Sequence, residues 1–287
     1  MIFQIAAFLS VALSGTPSGT PSGTPSGAPS GTGSVDAPRC MDALFAGSDY
    51  MYTFTAAEDK GSPTIGTVRV HGDRTRIDIA DKKNGEYMLL TDGGTKMLSV
   101  HPDRREIDEI SSPTFERIIG TSLRMVSPIV KFRVLNSRIS SERVGTGQKL
   151  LGYSTEQIRL TERFDIRIVA MGFDAGTEHH TIITDYWVSP GLELGDNPLL
   201  VLIEHTGSAM AQTDRDFVQK EAAVRAQALA GTPLRTIVNE TSVDDKGVAH
   251  TKVHSIDITS VKQGAQPASL FEVPSGYKVK AGMNFSA

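Results

Sequence analysis

The chain has 287 residues, of which 39% are hydrophobic and 22% charged, the composition of a folded globular protein. Its 29 Lys and Arg against 33 Asp and Glu give a net charge of −4, with no basic surplus to hold a phosphate backbone, so no nucleic-acid partner is expected. No apolar run reaches the roughly 20 residues of a membrane-spanning helix, and a single cysteine excludes an internal disulfide framework and any clustered-cysteine metal site.

Residues 2–13 are nearly all apolar and lead into Ala12-Leu13-Ser14-Gly15, small residues of the kind found at signal-peptidase sites. We read residues 1–14 as a cleaved export signal, which makes the protein periplasmic or secreted. From Gly15 a Gly-Thr-Pro-Ser repeat of period four runs through Ser30, followed by Gly31-Thr-Gly-Ser34, with no charge until Asp36. Proline at every fourth position removes backbone donors and glycine dilutes packing, so residues 15–35 read as a tether. Cys40 follows Asp36-Ala-Pro-Arg39, which is unlike a lipid-attachment motif; pairing between chains and an unpaired structural thiol both remain open. Residues 36–287 carry strand signals throughout and are expected to form a single β-rich domain.

Tyr50 to Phe54 opens the domain. Val68 and Val70, the polar turn His71-Gly-Asp-Arg74, then Ile77 and Ile79 predict a β-hairpin with Arg69, Arg76 and Asp78 on its other face. Glu86 to Thr91 and Thr95 to Val100 form a second hairpin around Asp92-Gly93-Gly94, followed by a strand over Arg104 to Ile110. A first helix is expected from Ser112-Pro113, with Phe115, Ile118, Ile119, Leu123 and Val126 along one stripe. Strands resume at Arg133 to Val134, Lys149 to Tyr153, Gln157 to Leu160, Phe164 to Ile168, Thr181 to Val188 and Leu199 to Ile203. A second helix over Asp214 to Ala230 ends at Gly231 and Pro233. Leu234 to Thr241 and Val248 to Ile258 close the chain as a hairpin around Asp244-Asp-Lys-Gly247.

Little in this pattern carries chemistry. Adjacent His179 and His180 point to opposite faces of a strand, and His250 and His254 stand too far apart along one to share an ion, so no metal is expected. No nucleophile elbow, phosphate loop or dinucleotide fingerprint appears, so neither catalytic residues nor a cofactor are expected. Trp187, the only tryptophan, sits between Tyr186 and Val188 on a predicted strand.

Several segments together resemble a known pattern: Tyr87-Met-Leu-Leu-Thr91 with Lys96-Met-Leu98, Leu151-Gly-Tyr-Ser-Thr-Glu-Gln157, Asp185-Tyr-Trp-Val188, Gly231-Thr-Pro-Leu-Arg235 and Phe271-Glu-Val-Pro-Ser-Gly-Tyr277. They are similar to a bacterial family of exported domains of unknown function, itself similar to periplasmic lipoprotein carriers of the Lol type. The resemblance implies a curved antiparallel sheet or incomplete β-barrel with a helical lid over an apolar groove able to take acyl chains. On that basis the expected function is a non-enzymatic, exported binding protein for a hydrophobic ligand, lipid or lipoprotein acyl chain. Phe115, Ile118, Ile119, Leu123 and Trp187 would line its groove. The alternative is a structural or protein-interaction module of the cell envelope, in which the same residues form a closed core and an envelope protein is the partner.

Overall fold

A computed structural model describes residues 49–281 except 60, 81, 83, 112–129, 172, 193, 195–219, 221–222 and 226–227. The architecture is mainly β: one open, curved sheet of twelve strands. In chain order these are β1 (Tyr50–Glu58), β2 (Thr64–His71), β3 (Arg74–Ile79), β4 (Tyr87–Thr91), β5 (Lys96–His101), β6 (Glu106–Ser111), β7 (Val130–Thr146), β8 (Glu156–Ala170), β9 (Phe173–Ser189), β10 (Thr232–Val243), β11 (Ala249–Gln263) and β12 (Lys278–Ala281). Their spatial order is β12-β6-β5-β4-β3-β2-β1-β11-β10-β9-β8-β7. Every neighbour pair is antiparallel except β12 with β6, which is parallel and departs from the all-antiparallel expectation.

Period-two alternation explains the early meander. Val68 pairs with Tyr52 and Ile77, and Val70 with Tyr50 and Thr75, so these residues share one face, which we call the first face. Arg69, Arg76 and Asp78 occupy the second face, where Asp78 accepts hydrogen bonds from both arginines and the Arg76 guanidinium lies 3.7 Å from the Tyr87 ring centroid. On the first face the Phe54 ring lies directly over Gly66: a Cβ there would stand 2.4 Å from the ring, so only glycine permits this aromatic to pack flat on the neighbouring strand.

The turn over Asp92–Gly94, expected as a primed hairpin, is a short 3-10 turn with positive φ at all three residues. Gln157–Leu160 and Phe164–Ile168 prove to be parts of the single strand β8. The polar Thr161-Glu-Arg163 between them does not break it, because alternate residues still fall on alternate faces. Lys149–Tyr153 is a turn closed by reciprocal backbone hydrogen bonds between Leu150 and Tyr153. The first predicted helix and the Leu199–Ile203 strand lie outside the described residues. Within the second, only Lys220, Ala223–Arg225 and Ala228 are described as helical, and the Leu229 amide donates to the Arg225 carbonyl at 2.9 Å. Among the described residues no helix is long and apolar enough to cross a membrane.

The core follows the first face across the sheet. Tyr50, Tyr52, Phe54, Val68, Val70, Ile77, Leu90, Met97, Ile256 and Ile258 form its larger part, with Leu192 and Leu234. The register Ala56–Ile256–Thr236–Tyr186–Ile158 carries the same face onto β8, where Ile158, Leu160, Tyr186 and Val188 pack with Leu229. The C-terminal segment crosses the second face. Arg76 donates to the Leu270 carbonyl at 3.2 Å, buried Phe271 packs on the His71 ring, and Tyr277 covers Leu89, Leu98, Val100 and Ile107 before β12 joins β6.

Candidate functional site

The first face of β8 and β9 is apolar at Ile158, Leu160, Tyr186 and Val188 and then turns polar along the same strands. Glu162 and Ile182 come next, opposite Glu240 of β10; Phe164 and His180 follow. At this boundary the described part of the 220–230 segment lies on the sheet, with Val224, Ala228 and Leu229 against the apolar cluster. Arg225 of that segment donates through Nη2 to Glu162 Oε1 at 3.1 Å and through Nη1 to the Tyr186 hydroxyl oxygen at 2.9 Å. Glu162 and Tyr186 are buried, the Glu162 side chain being 6% exposed and Tyr186 fully enclosed, and Arg225 is partly buried at 13%. Through these two hydrogen bonds Arg225 ties the described part of the segment to the face.

Beyond it, the His180 ring stacks on Phe164 at 5.1 Å between centroids, with Nε2 3.3 Å from Glu178 and Nδ1 4.0 Å from Glu240. The neighbouring His179 faces the other way and engages Asp165 at 2.7 Å, as alternation requires. Two further histidines are tied to carboxylates in the first half of the sheet. His71 Nδ1 lies 2.8 Å from Asp49, whose carboxylate also accepts from the Gly72 and Gln266 amides and so pins the C-terminal segment to the β2–β3 turn. His101 lies between Glu86, 2.8 Å from Nδ1, and Asp108, 3.1 Å from Nε2. Among the described residues, no three His, Cys, Asp or Glu side chains converge as a metal would need.

The hydrogen bond from His101, assisted by Lys82, holds the Glu86 carboxyl below its ordinary range against the opposing effect of burial. A carboxylate whose folded value is depressed stabilises the fold above its unfolded value, near pH 4.5, and loses that contribution as pH falls through the folded value. We therefore expect stability to decline with acidification below about pH 4.5. Glu86→Gln should flatten part of that decline, as read from urea midpoints taken across pH 3–6; an unchanged slope would remove Glu86 from the acid response.

Of the residues expected to line a groove, Phe115, Ile118, Ile119 and Leu123 lie outside the described residues. Trp187 is placed on the second face, half-buried, opposite in facing to Tyr186 and Val188. It pairs across the strands with Gln157 and Arg235, the Arg235 guanidinium lies 5.9 Å from its ring, and the ring rests against Gly147. Its position therefore removes it from the apolar first face. Tyr186, Glu162 and Arg225, which the sequence reading passed over, come together there instead. Alternation offered a signal for two of them, since Tyr186 and Glu162 share parity with Val188 and with Ile158 and Leu160. Arg225 gave none, being 63 positions from Glu162.

No protein-family model matches this chain, and no curated protein matches it. Among solved structures it is similar to an uncharacterized conserved protein from Thermus thermophilus, with a TM-score of 0.37 and 9% identity over 84% of this chain and 95% of the other.

Proposed function

We propose that this is an exported, non-enzymatic binding protein that holds a hydrophobic ligand, in the form of a lipid or a lipoprotein acyl chain, against the first face of its sheet. The observation that carries the reading is the extent of apolar surface on that face: two buried apolar patches, one reaching from Met97 on β5 to Ile256 and Ile258 on β11 and one around Ile158, Leu160 and Tyr186, are joined through the buried Thr236 and Thr184. An extended apolar wall is what an acyl chain needs, at about 0.8 kcal/mol per buried methylene. The helices expected over Ser112–Val126 and Asp214–Ala230 act in this reading as a lid, the second held to the sheet by Arg225. The likeness of the sequence motifs to exported domains and to Lol-type carriers supports the same assignment.

Native mass spectrometry of the full chain, purified without detergent and then extracted under denaturing conditions, tests it. We expect a discrete added mass released as a lipid or other apolar compound. A single unliganded mass that persists after addition of palmitate and of a diacyl phospholipid would overturn the reading and leave a closed-core interaction module.

A further inference from the structure

The β8–β9 hairpin outruns β10. β10 pairs with β9 only as far as His179, and the Asp245 carboxylate then accepts the Thr177 amide at 3.0 Å, which ends the pairing on that side. Among the described residues, 166–176 then pair only with one another and with β7, whose Val130 lies opposite Ala170 near the end of the hairpin. At that end Met171 and Phe173 are 75% and 77% exposed, the two most exposed large hydrophobic residues among those described. Single exposed apolar residues are ordinary, but two at the tip of a projecting ribbon form a feature that water penalises.

The second face of the same ribbon is rich in arginine. Arg133 stands directly opposite Arg167, and Arg138 directly opposite Arg163. Like charges directly opposite each other across strands are unfavourable in a sheet, and Asp165, between Arg163 and Arg167, is the acidic residue of β8 on this face. Arg167 is paired with Asp174, whereas Arg133, Arg138 and Arg163 make no ion pair among the described residues. Residues 130–138 and 163–179 hold five basic and three acidic side chains in a chain whose net charge is −4.

We propose that the free end of the β7–β8–β9 ribbon is a contact element for an anionic lipid surface. Met171 and Phe173 enter the boundary between headgroups and acyl chains, and the ribbon leans so that its arginine face meets the lipid phosphates. Arg133, opposite Arg167 and so four residues behind Met171, stands about 13 Å behind the tip at about 3.3 Å per residue, and the lean of the ribbon brings it to the headgroups when the tip is seated. Charge complementarity decides for an anionic surface, and the apolar tip decides for a bilayer over free phosphate or an acidic peptide. This contact is independent of the ligand proposed for the first face.

The test uses the full chain carrying Phe173→Trp, with the unsubstituted chain, whose only tryptophan is Trp187, as baseline. Vesicles of phosphatidylglycerol and phosphatidylcholine in equal parts, with brominated acyl chains, should quench the added emission and shield it from iodide. Pure phosphatidylcholine vesicles should do so at least about tenfold less well at equal lipid. Arg133→Glu with Arg138→Glu should weaken the response on anionic vesicles by about tenfold or more, since each basic residue near such a surface contributes on the order of 1 kcal/mol. Because the probe reports the position of the tip, vesicle binding through residues 2–13 cannot imitate it. Emission that stays open to iodide and unquenched by bromine on anionic vesicles would overturn the proposal, as would equal responses on the two vesicle types.

Discussion

Replacing Arg225 by methionine should lower the unfolding free energy by about 3–5 kcal/mol, the range found when one partner of a buried ion pair is removed. The loss comes less from the attraction given up than from the carboxylate left behind. The Glu162 side chain is 6% exposed, and loss of the guanidinium takes away the cation that compensates its charge there. Removing both charges together, as Glu162→Leu with Arg225→Met, should cost less than Arg225→Met alone, because the carboxylate is no longer left without the Arg225 cation. Tyr186→Phe, which deletes one acceptor of Arg225, should cost only about 1 kcal/mol. Urea unfolding of the four chains measures all of these differences. If the single and double substitutions prove equally destabilising, the cluster matters for packing and not for charge.

Gly231→Ala should be of comparable severity, about 3 kcal/mol or more, for a reason unrelated to charge. Gly231 joins the helical segment to β10 with φ near +118°, a conformation that side chains rarely adopt. A Cβ there would lie 2.4 Å from the Ser189 carbonyl oxygen and 2.9 Å from the Pro190 Cα. Both obstacles are backbone atoms at the end of β9, so no rotamer change relieves them. Gly72→Ala provides the contrast: its φ is also positive, at +55°, but a Cβ there would meet nothing within 4 Å, and a penalty of about 1 kcal/mol is expected. Thermal unfolding of the two variants distinguishes a crowded glycine from one that is merely left-handed.

These two residues also mark how far the sequence could be read. The meander was legible because its strands are short, its turns are tight, and alternation of Val68, Val70 and Ile77 with Arg69, Arg76 and Asp78 needs no knowledge of distant neighbours. The long ribbons were legible only in pieces. Thr161-Glu-Arg163 looks like a turn when a strand is expected to alternate apolar with polar, yet Glu162 keeps its place on the first face through a partner 63 positions away. Gly231 was read as a helix stop; its closeness to Ser189 depends on β9 and β10 being neighbours. Trp187 drew attention as an aromatic in an apolar motif, although parity with Asp185 already separated it from Tyr186 and Val188. β12 was missed because Lys278-Val-Lys-Ala281, although it alternates polar with apolar, is only four residues long, too short for alternation to count as a signal, and it is held by pairing with β6.

The seam between β1 and β11 has a consequence in time. Thr53 and Ser260 share a hydrogen bond across this seam although 207 residues separate them. At a synthesis rate of about 5–20 residues per second, β1 waits some 10–40 s before its second neighbour exists. During that interval the hairpins of β2 to β6 can assemble locally, but Tyr52 and Phe54 stand on a strand with one side unpaired. Such long-range pairing belongs to the slower class of folding reactions, on the order of milliseconds to seconds once the chain is complete. The exposed edge of β1 is thus the place where a nascent chain of this protein is most open to capture by a chaperone, or by another copy of itself.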